Sequence, residues 1–402
     1  MHLANGELTR VQSHPRANVA LVTCAQLPEL DADTQRLIPP LQGLGVIATA
    51  VVWDYACVDW SSFDLVVVRS CWDYTQRRSE FIDWCRSVPR LANPAEVVAW
   101  NSDKHYLCGL AAAGVSTVPT TWIEPDESVL LPSSGEWVIK PAVSLASLDT
   151  GRYRLAEPAH RGLAQAHVAR LQAAGRAVML QRYVDSVDSL GESSLVFIDG
   201  VYSHAIRKAA VLHGPDDGCD RRFLPSGGQD LRSHSPTEAE FAVARQALTC
   251  GPGAKRPLLY ARIDLVTGHG GAPILMELEL VEPQLYLATP SAVDRFAVGL
   301  KAAMLDQVIQ HACPFLGFEQ AVQAFSAQGP WRGIRQRKRF GCGSINQAMA
   351  FHQACQPHQP MHTAADATTD ESCIAADLVE GLAFFCSFGF IESTYMQGQY
   401  AL

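Results

Sequence analysis

The sequence predicts an α/β chain in three parts. A parallel sheet covered on both faces comes first, then a larger α+β body of antiparallel strands and helices, then a helical C-terminal extension. Three observations carry this. Apolar runs of strand length alternate with helix-length segments over the first hundred residues, as in a sheet buried on both faces. Further on, strand signals come in pairs around tight turns, Asp199-Gly200 being the sharpest. Beyond Pro314 the composition shifts to Gln, His, Ala and Cys, and 370–390 reads as a helix with a Phe-rich face.

In the first part, 19–24 (VALVTC), 46–53 and 65–69 (LVVVR) read as strands. The segment 34–44 reads as partly helical, kinked or broken by Pro39 and Pro40. A helix over 80–87 is closed by Pro89. After the link Ala92-Asn93-Pro94, residues 101–113 read as a helix capped by Asn101 and stopped at Gly114, with Lys104 in its first turn. Residues 137–140 and 178–184 read as strands around a helix over 163–174 that ends at Gly175. In the third segment, 193–198 and 201–207 form a hairpin, 212–232 is a long loop, 238–247 is helical, and 258–266 and 273–282 are strands. A long helix covers 292–313. The expected domains are 1–100, 101–185, 186–312 and the extension 313–402.

Composition narrows the function. Of 402 residues, 48% are hydrophobic and 18% charged, a globular balance that excludes disorder. A net charge of −9 argues against nucleic acid or an anionic membrane as the main partner. Residues 1–10 lack the basic start and apolar core of a signal peptide, and 374–391 contains Asp377 and Glu380, so no membrane span is expected. Twelve cysteines without a CxxC pair suggest reduced thiols in a cytoplasmic protein. Cys342, His352, Cys355, His358 and His362 match no zinc spacing. The tail reads as a helical appendage on the core or a homodimer contact.

The chemistry concentrates in Tyr260-Ala-Arg-Ile-Asp264 and Glu277-Leu-Glu279. Alternate residues of a strand share a face, so Tyr260, Arg262 and Asp264 line one side, and Glu277 and Glu279 share a side away from Met276, Leu278 and Leu280. Folded as a hairpin centred between Gly270 and Gly271, the strands set Asp264 opposite Glu277 and Arg262 opposite Glu279. Three converging carboxylates repel one another unless cations sit between them, and their hard oxygens suit Mg²⁺. The apolar outer flanks argue against a merely solvent-facing hairpin. Glu282, before Pro283, is a further ligand or a substrate contact. Lys104, Lys140, Arg207 and Lys208, at the ends of successive elements, supply positive charge for a triphosphate. Arg69, Trp72, Asp73 and Tyr74 follow the carboxyl end of a buried strand, where open α/β sheets place ligands. There Arg69 suits a carboxylate and Asp73 an amine, although the stretch also fits a loop capping the core.

Taken in order, Asn101-x-x-Lys104, Val138-Ile-Lys140-Pro141, Gln181-Arg182-Tyr183-Val184, Gly191-Glu192-x-Ser194, Tyr260-x-Arg262-x-Asp264 and Glu277-x-Glu279 resemble the ATP-grasp superfamily over roughly residues 17–310. The branch containing the cycloserine-forming cyclo-ligase is the most similar, through 66–74, 149–153 and 277–283. The resemblance implies an ATP-grasp fold behind a Rossmann-like pre-ATP-grasp domain, with ATP and Mg²⁺ as cofactors. Lys104 and Lys140 would hold phosphates, Gln181 to Val184 would read the adenine edge, and Glu192 would bond the ribose. Arg262, with Lys208 and Arg207, would stabilise the transferring phosphoryl group, and Asp264, Glu277 and Glu279 would bind Mg²⁺. One departure stands out: the loop 142–148, glycine-rich in relatives, has no glycine here, which leaves Ser144 and Ser147 hydroxyls as donors to phosphate. The activity implied is ligation of a small amino-acid-like carboxylate to an amine, in one molecule or between two, in antibiotic biosynthesis. A nucleotide-binding regulator and a kinase-like phosphotransferase are the alternatives.

Overall fold

The computed structural model describes residues 17–312, apart from 221, 224–229 and 255–256, with side chains to 307. The cysteines and histidines of the tail, the helix expected over 370–390, and Arg221, expected with Arg222 to offer further positive charge for the phosphates, lie outside these residues. The chain divides into two units, Met1–Ala303 and Met304–Leu402, and the site described below lies within the first.

The N-terminal sheet is parallel, with strands β1 (Ala17–Thr23), β2 (Val46–Val52), β3 (Leu65–Ser70) and β4 (Leu91–Ala92) in the order β2-β1-β3-β4. Val19 to Val22 and Val66 to Val68 are buried on both faces, as an unbroken apolar run requires. The kinked segment between β1 and β2 resolves into α1 (Ala32–Gln35) and α2 (Ile38–Gly43). Pro39 and Pro40 fall in the first turn of α2, where a missing N–H is harmless. Helix α3 (Arg78–Ser87) buries Phe81, Ile82 and Cys85 against the sheet.

The helix expected over 101–113 is instead two helices, α4 (Ala95–Asn101) and α5 (Tyr106–Ala112). Asn101 ends the first and does not cap the second. Its amide donates to Leu278 O at 2.7 Å and accepts from Leu280 N–H at 2.7 Å, on a strand far along the chain. Lys104 therefore sits in the turn between the helices, its N–H bonded to Ala142 O at 3.0 Å.

The second sheet is antiparallel, in the order β5-β8-β6-β7: β5 (Thr120–Ile123), β6 (Glu136–Pro141), β7 (Gly151–Arg154) and β8 (Val178–Arg182). Helix α6 (Pro158–Ala173) covers it through Ala164, Val168 and Leu171. After the short α7 (Ser186–Leu190) come β9 (Glu192–Ile198), β10 (Val201–Lys208), β11 (Leu231–Ser233), α8 (Glu238–Cys250), β12 (Tyr260–Thr267), β13 (Pro273–Glu279) and α9 (Pro290–Ala312). The third sheet is ordered β11-β10-β9-β12-β13. Asp199 and Gly200 both take positive φ, 49° and 73°, as the tight turn demands. Thr237 and Glu240 form a capping box at the start of α8. This sheet packs against α4, α5 and α8 through Val97, Leu107, Leu110, Ala244, Ile263, Leu265, Leu275 and Leu278.

Among the described residues no helix is long and apolar enough to cross a membrane. Cys24, Cys57, Cys71, Cys85, Cys108, Cys219 and Cys250 are free thiols.

Candidate active site

The β12–β13 hairpin pairs Arg262 with Glu279 and Asp264 with Glu277. That register needs an irregularity. At the tip Thr267 pairs with Pro273 and Leu265 with Leu275, so an unbroken ladder would set Asp264 against Met276. A one-residue bulge at Met276 restores the pairing and turns Glu277 toward Asp264. The expectation that Met276 faces away with Leu278 and Leu280 is therefore wrong. Met276 packs beside Val266 and Ile274, whereas Leu278 and Leu280 are in the core with Leu275.

Around this hairpin lies a dense charge cluster. Arg262, 6% exposed, donates from Nη2 to Asp264 Oδ2 at 2.8 Å and from Nε to Oδ1 at 3.0 Å, and it pairs closely with Glu279. Ser194 on β9 donates to Asp264 Oδ1 at 2.6 Å. Lys208 at the end of β10 reaches Asp264 Oδ2 at 3.4 Å and pairs closely with Glu192. Lys140 Nζ, from the end of β6, donates to Glu277 Oε1 at 2.7 Å. Lys104 Nζ lies 4.0 Å from Glu277 Oε2 and donates to Ser144 O at 2.6 Å. The cations that relieve carboxylate repulsion are thus the protein's own side chains.

Burial pushes every carboxyl here upward, and its balance against the neighbouring cations decides the outcome. Glu277 is opposed by Lys104 and Lys140 and held down to about 2. Asp264, opposed by Arg262 and Lys208, lies well below the carboxylate range. Glu279 is raised, because burial outweighs its arginine. For Glu192 burial beats Lys208, giving about 7. Glu282 is raised to about 8 by burial and then by the charge of Glu279. Lys208 is lowered by burial but raised further by Asp264 and Glu192, so it stays charged.

Several other expected site residues are engaged in contacts of their own, and Ser144 adjoins the cluster through Lys104. Arg207 is a correction: neighbours on a strand face opposite ways, and its guanidinium bonds Leu190 O, His234 and Glu240 instead. Asp73 is also engaged, accepting from Trp53 Nε1 at 3.0 Å with Arg77 at 3.8 Å. Tyr74 stacks on Phe81 in the N-terminal core, and Trp72 packs beside Phe223, 6.1 Å between centroids. The stretch 72–74 is thus built as a loop capping the core. Arg222 of the 212–232 loop donates to Trp72 O at 3.2 Å. Gln181 donates to Thr120 Oγ1 at 2.8 Å, Arg182 is exposed, Tyr183 N–H bonds Glu136 O, and Val184 packs on Val118 and Val266. Ser144 is buried and donates to Pro141 O, and Ser147 is half-buried in left-handed backbone.

Two polar atoms near the cluster are buried without a hydrogen-bond partner among the described residues: Arg69 Nη1 and Glu282 Oε2. Arg69, 1% exposed, otherwise donates to Pro283 O at 2.9 Å and lies over the Tyr260 and Phe296 rings. Sequence reasoning assigned no role to Ser194, Asn93 or Tyr106. Ser194 alternates in register with Glu192, and that spacing was its one readable signal. Asn93 donates to Tyr260 O and Leu280 O, and Tyr106 hydroxyl accepts from Leu278 N–H at 2.8 Å.

The donor set fits magnesium in kind: hard carboxylate oxygens from Asp264, Glu277 and Glu279 on adjacent strands. Among the described residues no group of three His, Cys, Asp or Glu is arranged to hold a metal ion, since each carboxylate is turned to a cationic side chain.

Comparison with known proteins agrees with this arrangement. A family model described as the N-terminal domain of the D-cycloserine synthetase DcsG matches residues 19–93. The cycloserine biosynthesis protein DcsG of Streptomyces lavendulae is 40% identical over 301 residues, spanning 70% of this chain and 97% of that protein. The crystal structure of D-cycloserine synthetase DcsG matches with a TM-score of 0.62 at 38% identity, covering 72% of this chain and 100% of that one. Two structures at 14% identity share the fold alone. D-alanine–D-alanine ligase from Bacillus anthracis complexed with ATP has a TM-score of 0.52 and covers 79% and 100% of the two chains. The RimK domain protein ATP-grasp from Sphaerobacter thermophilus has a TM-score of 0.50 and covers 71% and 100%.

Proposed function

The chain belongs to the D-cycloserine synthetase family of ATP-grasp ligases, and on that basis we propose that it closes a ring within a small amino-acid-like substrate at the expense of ATP, in antibiotic biosynthesis. A substrate carboxylate oxygen attacks the γ-phosphorus, giving an acyl phosphate and ADP. A nitrogen of the same molecule then attacks the acyl carbon, the bond to phosphate breaks, and inorganic phosphate and a proton leave.

The observation that carries this reading is the hairpin register, which sets Arg262, Asp264, Glu277 and Glu279 together with Lys140 and Lys104 closing on Glu277. Nucleotide binds between the lobes 101–185 and 186–312. Lys104 and Lys140 would turn from Glu277 to hold the nucleotide's phosphates, and Asp264, Glu277 and Glu279 would then hold magnesium. Magnesium, when bound, neutralises charge on the phosphates. Arg262 faces the transferring group and Lys208 holds Asp264 ionised, so catalysis is positioning plus charge neutralisation. The substrate lies where the end of β3 meets the segment after β13, because Arg69 Nη1 and Glu282 Oε2 are without partners there.

The test is to incubate the purified chain with ATP, Mg²⁺ and amino acids bearing a side-chain amine or aminooxy nitrogen, reading ADP and product mass. Ring closure leaves a product lighter than its substrate by one water, with ADP and phosphate released. A product retaining phosphate would identify a phosphotransferase instead. Asp264→Asn and Glu277→Gln are each expected to cut magnesium-dependent ADP release by at least about a hundredfold, with circular dichroism unchanged. Wild-type rates in both would remove the metal assignment.

A further inference from the structure

The loop after β6 has no glycine, yet Ala146, Ser147 and Asp149 hold φ at 49°, 56° and 52°. Residues with a Cβ enter that region at a cost that glycine avoids, so the surroundings must impose the shape.

Asp149 is where they do so. Arg170 Nη1, from α6, donates to its Oδ1 at 2.7 Å, and Arg176 Nη1, from the turn before β8, donates to its Oδ2. Arg176 Nη2 also donates to Val143 O at 3.1 Å, so one guanidinium ties both ends of the loop. Burial pushes the Asp149 carboxyl up, but Arg170 and Arg176 outweigh it and hold the group below its ordinary value. Between these ends, Leu148 N–H bonds Leu145 O and Thr150 N–H bonds Ser147 O. Leu145 packs on the core of the N-terminal sheet, and Ser144 O accepts Lys104 Nζ. Lys104, Arg176 and Leu145 therefore fix the loop from three sides.

We propose that Asp149, gripped by Arg170 and Arg176, is a positioning residue that holds the 143–149 loop in the left-handed shape needed at the nucleotide's phosphates. The ion-pair clamp does here what glycines do in a glycine-rich loop. This rests on the assignment of the loop to the phosphate site.

The test is steady-state kinetics with ATP as the varied substrate. Asn tolerates left-handed backbone, so Asp149→Asn removes the clamp's charge with little other strain. It is expected to raise KM for ATP about tenfold with kcat within about twofold. Adding Ala146→Gly, which makes the shape cheaper without the clamp, is expected to recover most of that loss. Arg176→Ala is expected to behave like Asp149→Asn and serves if the latter fails to fold. An unchanged KM in these folded variants, or an equal penalty with and without Ala146→Gly, overturns the proposal. Lys140→Ala separates the two levels. If it raises KM for ATP while the clamp variants do not, the phosphate site stands and the clamp falls. If it too leaves KM unchanged, both fall.

Discussion

Glu282 and Glu277 are half-buried acids of one cluster, and they couple folding to pH in opposite directions. The carboxyl of Glu282 moves from 4.5 in the unfolded chain to about 8 in the folded protein. The folded state thus keeps a proton that the unfolded state releases. Its contribution to stability is complete below about pH 4.5 and is lost as pH rises through 8. Glu277 has the reverse sign, because its folded value of about 2 lies below 4.5. Its contribution is present above 4.5 and is lost as pH falls toward 2. Glu282→Gln removes the alkaline loss and keeps the shape. Without nucleotide or magnesium, the variant is expected to match wild type at pH 5 and to exceed it at pH 9 by a few kcal/mol at most, since a tenfold change in proton affinity is worth about 1.4 kcal/mol. Thermal unfolding at the two pH values checks this, and parallel curves for the two proteins would contradict it.

At the scale of elements, the position of Lys208 depends on how closely β9 begins beside the end of β10. Gly191, between α7 and β9, has φ 73° and ψ −167°, a region almost confined to glycine. A Cβ there would meet Lys208 O at 2.3 Å. Gly191→Ala is therefore expected to push the two strand ends apart, at a cost of about 3 kcal/mol or more. It would also draw Lys208 away from Glu192 and Asp264. Urea unfolding and the ADP-release rate are both expected to fall, and an alanine variant of wild-type stability would show that the contact relaxes freely. The same elements show what the sequence let one read. Apolar alternation revealed β9, β10, β12 and β13, and a hairpin centred between Gly270 and Gly271 placed Arg262, Asp264, Glu277 and Glu279 on a shared patch. It could not show the Met276 bulge, because a bulge breaks the periodicity being used. Nor could it show that Asn101 serves Leu278 and Leu280: an asparagine before an apolar run looks like a helix cap whether its partner is local or far along the chain. Arg207 was grouped with Lys208 by adjacency, although adjacent strand residues face opposite ways.

For the whole molecule, the proposed function requires the N-terminal sheet to be held against the charged hairpin, so that a substrate on one would meet a phosphate on the other. Asn93, at the end of β4, makes this junction. Its Nδ2 donates to Tyr260 O and Leu280 O at 2.9 Å each, and its Oδ1 accepts from Leu259 N–H at 3.0 Å. Nearby, Tyr260 hydroxyl bonds Val68 O at 3.0 Å and Val281 O at 2.8 Å, and Arg69 reaches Pro283 O. One side chain thus satisfies three buried backbone groups at the roots of β12 and β13, from a φ of 53° that Asn tolerates. Asn93→Gly removes the amide without a left-handed penalty, so its effect isolates the lost bonds. With three buried groups unpaired, the expected loss is about 3 kcal/mol or more. Asn93→Asp is expected to lose more, because it keeps the acceptor for Leu259 but turns a carboxylate toward two carbonyls. Denaturant unfolding should rank wild type above Asn93→Gly and Asn93→Asp last. If the carboxylate variant were the more stable of the two, Nδ2 would not be the bond that joins the sheets. In the glycine variant KM for the acceptor substrate should rise more than KM for ATP, since the loosened junction separates β3 from the hairpin but leaves Lys104 and Lys140 beside Glu277.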